Sequence, residues 1–143
     1  MTGAQRPGAP ELDNASAFLA AAGLRISHVA ADRVEGVIDL GPAHHTPWGV
    51  VHGGVYTTAV ESAASVGATA AVADRGQDRG QIAVGTNNNT DFLRSMTTGT
   101  VAITAAPVQQ GRTQQLWDVQ ITDESGRVVA RGTVRLQNIQ PRQ

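Results

Sequence analysis

The stretch Thr46-Pro-Trp-Gly-Val-Val-His-Gly-Gly-Val-Tyr-Thr-Thr-Ala-Val-Glu-Ser-Ala-Ala-Ser65 sets one carboxylate, Glu61, in a run of small and apolar residues that follows directly on His52-Gly53-Gly54. From Val55 to Ala73 the only other polar side chains are Tyr56 and the hydroxyls of Thr57, Thr58, Ser62, Ser65 and Thr69. A helix over residues 53–73 is therefore nearly uncharged and is expected to lie inside the protein. An unpaired carboxylate on a buried helix is costly, which makes Glu61 a candidate base or nucleophile. On chemistry alone, a glutamate on a solvent face or paired with an arginine is the competing reading.

Working outward, the helix leads into a charged, glycine-bounded connection over residues 74–80 and then into four candidate strands, 82–92, 99–109, 113–122 and 128–137. The last two alternate most clearly. Trp117, Val119 and Ile121 share one face of the first, and Val128, Ala130, Val134 and Leu136 share one face of the second. Turn signals at Gln110-Gly111-Arg112 and Asp123-Glu124-Ser125-Gly126 join these strands as antiparallel neighbours, with one covered face and one wetter face. Upstream, residues 24–29 and 34–40 read as two further strands, and 15–22 as a short helix capped by Asp13 or Asn14 and stopped at Gly23. Residues 1–10, with two prolines and two glycines, are expected to be a disordered start to a single domain over 11–143. One long helix followed by an antiparallel sheet implies an α+β fold in which a curled sheet wraps around a central helix.

Composition removes several classes of function. The 143 residues, 41% of them hydrophobic, suit one domain with a sizeable core. A formal net charge of −1 steers the surface toward neither nucleic acid nor membrane. The five aromatic residues are too scattered for a base-stacking platform. With no cysteine, disulfides, thiol nucleophiles and cysteine-type zinc sites are excluded. No Gly-x-Ser-x-Gly elbow surrounds Ser62 or Ser65, no dinucleotide fingerprint follows a strand, and His44, His45 and His52 lack the spacing of a metal shell. No apolar run has the length of a signal peptide core or a membrane span, so a cytoplasmic address is the default expectation.

The string Trp48-Gly49-Val50-Val51-His52-Gly53-Gly54, followed by Val60-Glu61-Ser62-Ala63-Ala64-Ser65, resembles the hotdog-fold acyl-CoA thioesterases. The branch it is most similar to contains 4-hydroxybenzoyl-CoA and 1,4-dihydroxy-2-naphthoyl-CoA thioesterases. The likeness continues through Asn89 to Ser95, Gly111-Arg112-Thr113 with Trp117, and Gly126-Arg127. It implies that Glu61 acts on a thioester carbonyl as nucleophile or as base for water. It further implies that the Gly53 N–H polarises the carbonyl, that His52 positions the acyl group or a water, and that Ser65, four residues beyond Glu61, assists on the same helix face. Arg94, Ser95, Gly111, Arg112 and Thr113 would meet the pantetheine and phosphates of coenzyme A. No cofactor and no metal are implied.

Two positions depart from the pattern. Such relatives usually carry glutamine where this chain has Thr46, and naphthoyl-type relatives often carry histidine where it has Phe92. The resemblance therefore implies an acyl-CoA thioesterase for an aromatic or otherwise bulky acyl group, assembled as a dimer or a dimer of dimers. A hydratase or dehydratase of acyl thioesters and a non-catalytic acyl-thioester binding module are the alternatives.

Overall fold

In the computed structural model, which describes residues 16–142 other than 74, 77 and 78, the order is α1 (Ala17–Ala22), β1 (Arg25–Ala30), β2 (Arg33–Leu40), a single 3-10 turn (Pro42–His44), α2 (Gly53–Val72), β3 (Ile82–Phe92), β4 (Gly99–Gln110), β5 (Gln114–Thr122) and β6 (Val128–Ile139). The expected disordered start, 1–10, lies outside the described residues. So do Asp13 and Asn14. The cap of α1 is instead Ser16, whose hydroxyl accepts from Leu19 N–H at 3.1 Å, and Gly23 ends the helix at φ 74°.

Helix α2 forms over the small-residue run because Tyr56, Ala59, Val60, Ala63, Ala64, Gly67, Ala68 and Val72 recur at helical spacing and all bury against the sheet. Their smallness sets how close helix and sheet come. A Cβ built on Gly67 would lie 2.6 Å from Trp117 Cζ3 and 2.9 Å from Val34 Cγ2, so only glycine admits the buried indole. Gly67→Ala is expected to lower stability by about 1–3 kcal/mol through overpacking, although alanine is the better helix former by about 1 kcal/mol. Urea denaturation reads this as a lower midpoint at unchanged slope.

The alternation read in the last two strands matches the buried face for Trp117, Val119, Ile121, Ala130, Val134 and Leu136, at most 1% exposed, but not for Val128, which is half-buried while Val129 is buried in its place beside the register shift at Ile121 and Thr122. The same face carries a polar residue, Gln115, and every one of its side-chain groups is partnered. Its Oε1 accepts from Trp117 Nε1 at 2.9 Å, and its Nε2 donates to Ala68 O at 3.0 Å and to Asn138 Oδ1 at 2.9 Å. A satisfied amide of this kind fixes the indole rather than weakening the core.

The sheet corrects the expectation of a curled wrap. It has six strands in the order β1-β2-β4-β5-β6-β3, each paired antiparallel with its neighbours, and β1 and β3 are open edges. The physical reason is strand number. Strands about 4.8 Å apart, laid in a ring about 10 Å from a helix axis, would need about a dozen members to close, and known cans around a central helix use about eleven. Six strands instead cover one side of α2 and leave Thr57, Thr58, Glu61, Ser62 and Ser65 half-buried on the other. The helix is thus central to the core but not enclosed. Among the described residues no helix is long and apolar enough to cross a membrane.

Candidate active site on the uncovered face of the long helix

The chain enters α2 through a loop tied down by backbone groups. His45 and Val51 form an isolated antiparallel bridge, Thr46 N–H donates to Val50 O at 2.7 Å, Gly49 turns the chain at φ 78°, and His52 N–H donates to His44 O at 2.8 Å. The loop histidines do not converge. His44 accepts from Gly41 N–H through Nδ1 and meets Ala22 O through Nε2, while His45 Nε2 meets Thr97 O at 2.7 Å. No group of three metal-binding side chains occurs among the described residues.

His52 caps the helix. Its Nδ1 accepts from Gly54 N–H at 2.8 Å, so the neutral ring carries its proton on Nε2, as a donor. Glycine at 54 is required here, because a Cβ would lie 2.8 Å from that Nδ1. With Gly54 N–H taken and Val55 N–H bonded to His52 O at 3.0 Å, Gly53 N–H is left without an acceptor among the described residues. Unpaired N–H groups in a first helical turn suit a developing negative charge.

Two turns further on, Glu61 projects from the uncovered face. Its Oε2 accepts from Asn88 Nδ2 at 3.0 Å, and none of the ion pairs among the described residues includes it. The expected burial is thus only partial, and no arginine neutralises the group. On its other side the carboxylate lies over β3, where a Cβ on Gly85 would come 2.9 Å from Glu61 Cδ. Glu61, His52, Asn88, Thr57, Thr58 and Ser62 share a cavity of about 790 Å³ whose far wall is Phe18, Ala21 and Ala22 of α1. That volume suits a small-molecule ligand.

A second cavity of about 270 Å³ opens beside the helix start, lined by Gly53, Tyr56, Phe92, Arg94 and Ser95 among others. Tyr56 and Phe92 rings are 6.0 Å apart and tilted by 45°, and burial pushes the Tyr56 phenol above its ordinary pKa. The sequence-derived residues therefore fall into three places. Glu61 and His52 face one cavity, and Gly53, Arg94 and Ser95 face the other. Gly111, Arg112 and Thr113 sit at the opposite end of α2, where Gly111 O accepts from Arg75 Nη1 at 2.8 Å and Asn138 Nδ2 bonds Gly111 O and Arg112 O. A 20-residue helix is about 30 Å long, so one chain does not bring the third group to the first two.

Ser65 and Thr46 line neither cavity. The Thr46 hydroxyl is engaged by its own turn, accepting from Trp48 N–H at 3.3 Å. Reading the sequence also missed groups that the site uses: Asn88 on the carboxylate, Gly85 beneath it, and Arg75 and Asn138 on the distant turn. One local signal existed, since three consecutive asparagines, Asn87 to Asn89, sit inside a strand where asparagine is disfavoured.

Comparison with known proteins identifies the family. Residues 49–130 match the Thioesterase superfamily model. A Mycobacterium tuberculosis protein named "putative esterase" is 48% identical over 120 residues, 84% of each chain. Its structure superposes with a TM-score of 0.80 at 46% identity, over 88% of this chain and 98% of that one. The crystal structure of AziG from S. sahachiroi gives the same TM-score, 0.80, at 38% identity and the same coverage, 88% and 98%. The 1,4-dihydroxy-2-naphthoyl-CoA hydrolase of Listeria monocytogenes is 34% identical over 85 residues, 59% of this chain and 65% of that protein. With more than half of its length matched by the family model and with relatives this similar, the chain belongs to the hotdog-fold thioesterase superfamily and is an enzyme that hydrolyses an acyl thioester.

Proposed function

We propose that the thioester is an acyl-CoA with an aromatic or otherwise bulky acyl group, and that Glu61 carries the chemistry. The observation behind this reading is a carboxylate with no cation paired to it among the described residues, half-buried on the wall of a cavity of about 790 Å³ and held by an amide. Glu61 either attacks the carbonyl carbon, forming a mixed anhydride that water then opens, or takes a proton from the attacking water. In both routes the carbon–sulfur bond breaks, the sulfur leaves as thiolate and gains a proton, and the acyl group departs as its acid. His52 Nε2–H, on the same cavity as Glu61, is the donor available to the carbonyl oxygen as it gains charge, and Gly53 N–H, which opens to the other cavity, joins it only where a second copy of the chain brings the two cavities together. Ser65 and Thr46 have roles in this reading only if a substrate or a second copy reaches them. The name of the Listeria relative supports coenzyme A as the thiol. A cytoplasmic address comes with the proposal, because so polar a thiol ester does not cross a bilayer unaided.

A second copy of the chain completes the site in this reading. The helix face bearing Glu61 is uncovered, β3 is an open edge, and the Gly111–Thr113 turn lies at the end of α2 away from Arg94 and Ser95. Pairing two copies edge to edge with antiparallel helices would carry one chain's turn, with Arg112, toward the other's helix start, where both sets could hold coenzyme A. Light scattering is expected to give a dimer or a dimer of dimers. A stable, fully active monomer would refute the shared site.

The deciding experiment is a panel of aryl-CoA and fatty acyl-CoA substrates with a thiol-reactive reagent. Release of free coenzyme A, fastest with aryl substrates, is the expected result. Tight binding without release, or addition and removal of water across a double bond, would overturn the reading.

A further inference from the structure

The environment of Glu61 contains one side chain whose every polar group points to a task. We infer that Asn88 is a positioning residue for the Glu61 carboxylate, and that Thr90 holds Asn88 in place. The inference rests on the catalytic reading of Glu61 above.

Asn88 Nδ2 has two hydrogens and two acceptors: Glu61 Oε2 at 3.0 Å and the backbone oxygen of Thr57, one turn earlier on α2, at 3.3 Å. Its Oδ1 accepts from Thr90 Oγ1 at 2.7 Å. These partners fix the orientation of the amide. Reversed, it would set an oxygen against a carboxylate and a carbonyl at once, with no proton between them. A donor held to Oε2 restricts the rotation of Glu61, while Oε1 rests over Gly85 of β3. Bonds to a charged acceptor are the stronger kind, and their value in a site lies in fixing geometry before substrate arrives.

The strand is shaped to bring this about. Residues three apart on a regular strand face opposite sides, yet both Gly85 and Asn88 meet Glu61. The register of β3 against β6 shifts between Gly85 and Asn87, and this irregularity turns both positions toward the helix. Past the bulge, Asn88 and Thr90 share a face, paired opposite Val134 and Gly132. Gly132 makes room for the hydroxyl, since a Cβ there would lie 2.7 Å from Thr90 Oγ1 and 2.8 Å from Val60 Cγ1. A bulge, two glycines and a threonine thus converge on the placement of one amide beside one carboxylate.

The test uses the full chain with the best substrate of the acyl-CoA panel, comparing wild type, Asn88→Leu, Asn88→Asp, Thr90→Val, the Asn88→Leu/Thr90→Val double variant and Glu61→Ala. Asn88→Leu is expected to lower kcat by about 10- to 100-fold with KM within about threefold, as for loss of one hydrogen bond to a charged group. Asn88→Asp keeps the shape, replaces the donor with an acceptor, and should lose at least as much. Thr90→Val should lose about three- to tenfold alone and nothing further in the Asn88→Leu background, because it acts through Asn88. Should Asn88→Leu fold poorly by thermal unfolding, Asn88→Asp and Thr90→Val carry the test. Wild-type kcat in Asn88→Asp, or an equal Thr90→Val loss in both backgrounds, overturns the inference while Glu61→Ala remains inactive. Full activity in Glu61→Ala would instead remove the catalytic reading on which it rests.

Discussion

Glu61→Ala is expected to lower kcat by about 10²- to 10⁴-fold on acyl-CoA substrates, the range typical of removing a general base or a nucleophile. Among the described residues no second carboxylate lines the same cavity. The groups proposed to hold coenzyme A, Arg94, Ser95 and the turn at Gly111–Thr113, do not touch Glu61, so KM should change little. Stability should hold or rise slightly. Among the described residues the carboxylate makes no ion pair, and alanine is the better helix former. Steady-state kinetics with a thiol reagent, alongside a thermal unfolding curve, check all three statements. Wild-type turnover in the variant would remove Glu61 from the mechanism.

Gly85→Ala should be nearly as damaging without touching any reacting group. The added methyl would collide with Glu61 Oε1 and lie 2.9 Å from Cδ, closer than real Cβ atoms come, so the carboxylate must swing away. That movement also breaks its 3.0 Å bond to Asn88. A displacement of about 1 Å at a reacting group can cost about 10²-fold in rate, and that is the expected fall in kcat. The fold should tolerate the change, since Gly85 is exposed on an edge strand and alanine lowers the entropy of the unfolded chain. Kinetics and an unfolding midpoint on one preparation separate the effects. An active Gly85→Ala variant would show that Glu61 has another working position.

The two variants probe different kinds of information in the chain. Glu61 could be singled out from its neighbours, because a lone charge in a run of alanine, threonine and serine is visible in the string itself. Gly85 could not. Its requirement arises from a side chain 24 residues earlier that only the fold lays over it. The same holds for Asn88, 27 residues from its carboxylate, and for Gln115, whose polarity on an apolar strand face is explained only by Trp117, Ala68 and Asn138 converging on it.

By itself the sequence determined the local elements: α2 from a nearly uncharged run of small residues after His52-Gly53-Gly54, the last two strands from alternation, and the turns from glycine and aspartate. These depend on interactions a few residues apart, which a linear pattern records. Only the tertiary structure decided that the sheet stays open with β1 and β3 as edges, that Glu61 is half-buried beside Asn88, and that the Gly111 turn lies a helix length from Arg94. Closure depends on how many strands can span the distance around a helix, and contact between residues far apart in sequence depends on strand order and register. Neither quantity is carried by the periodicity of any single segment.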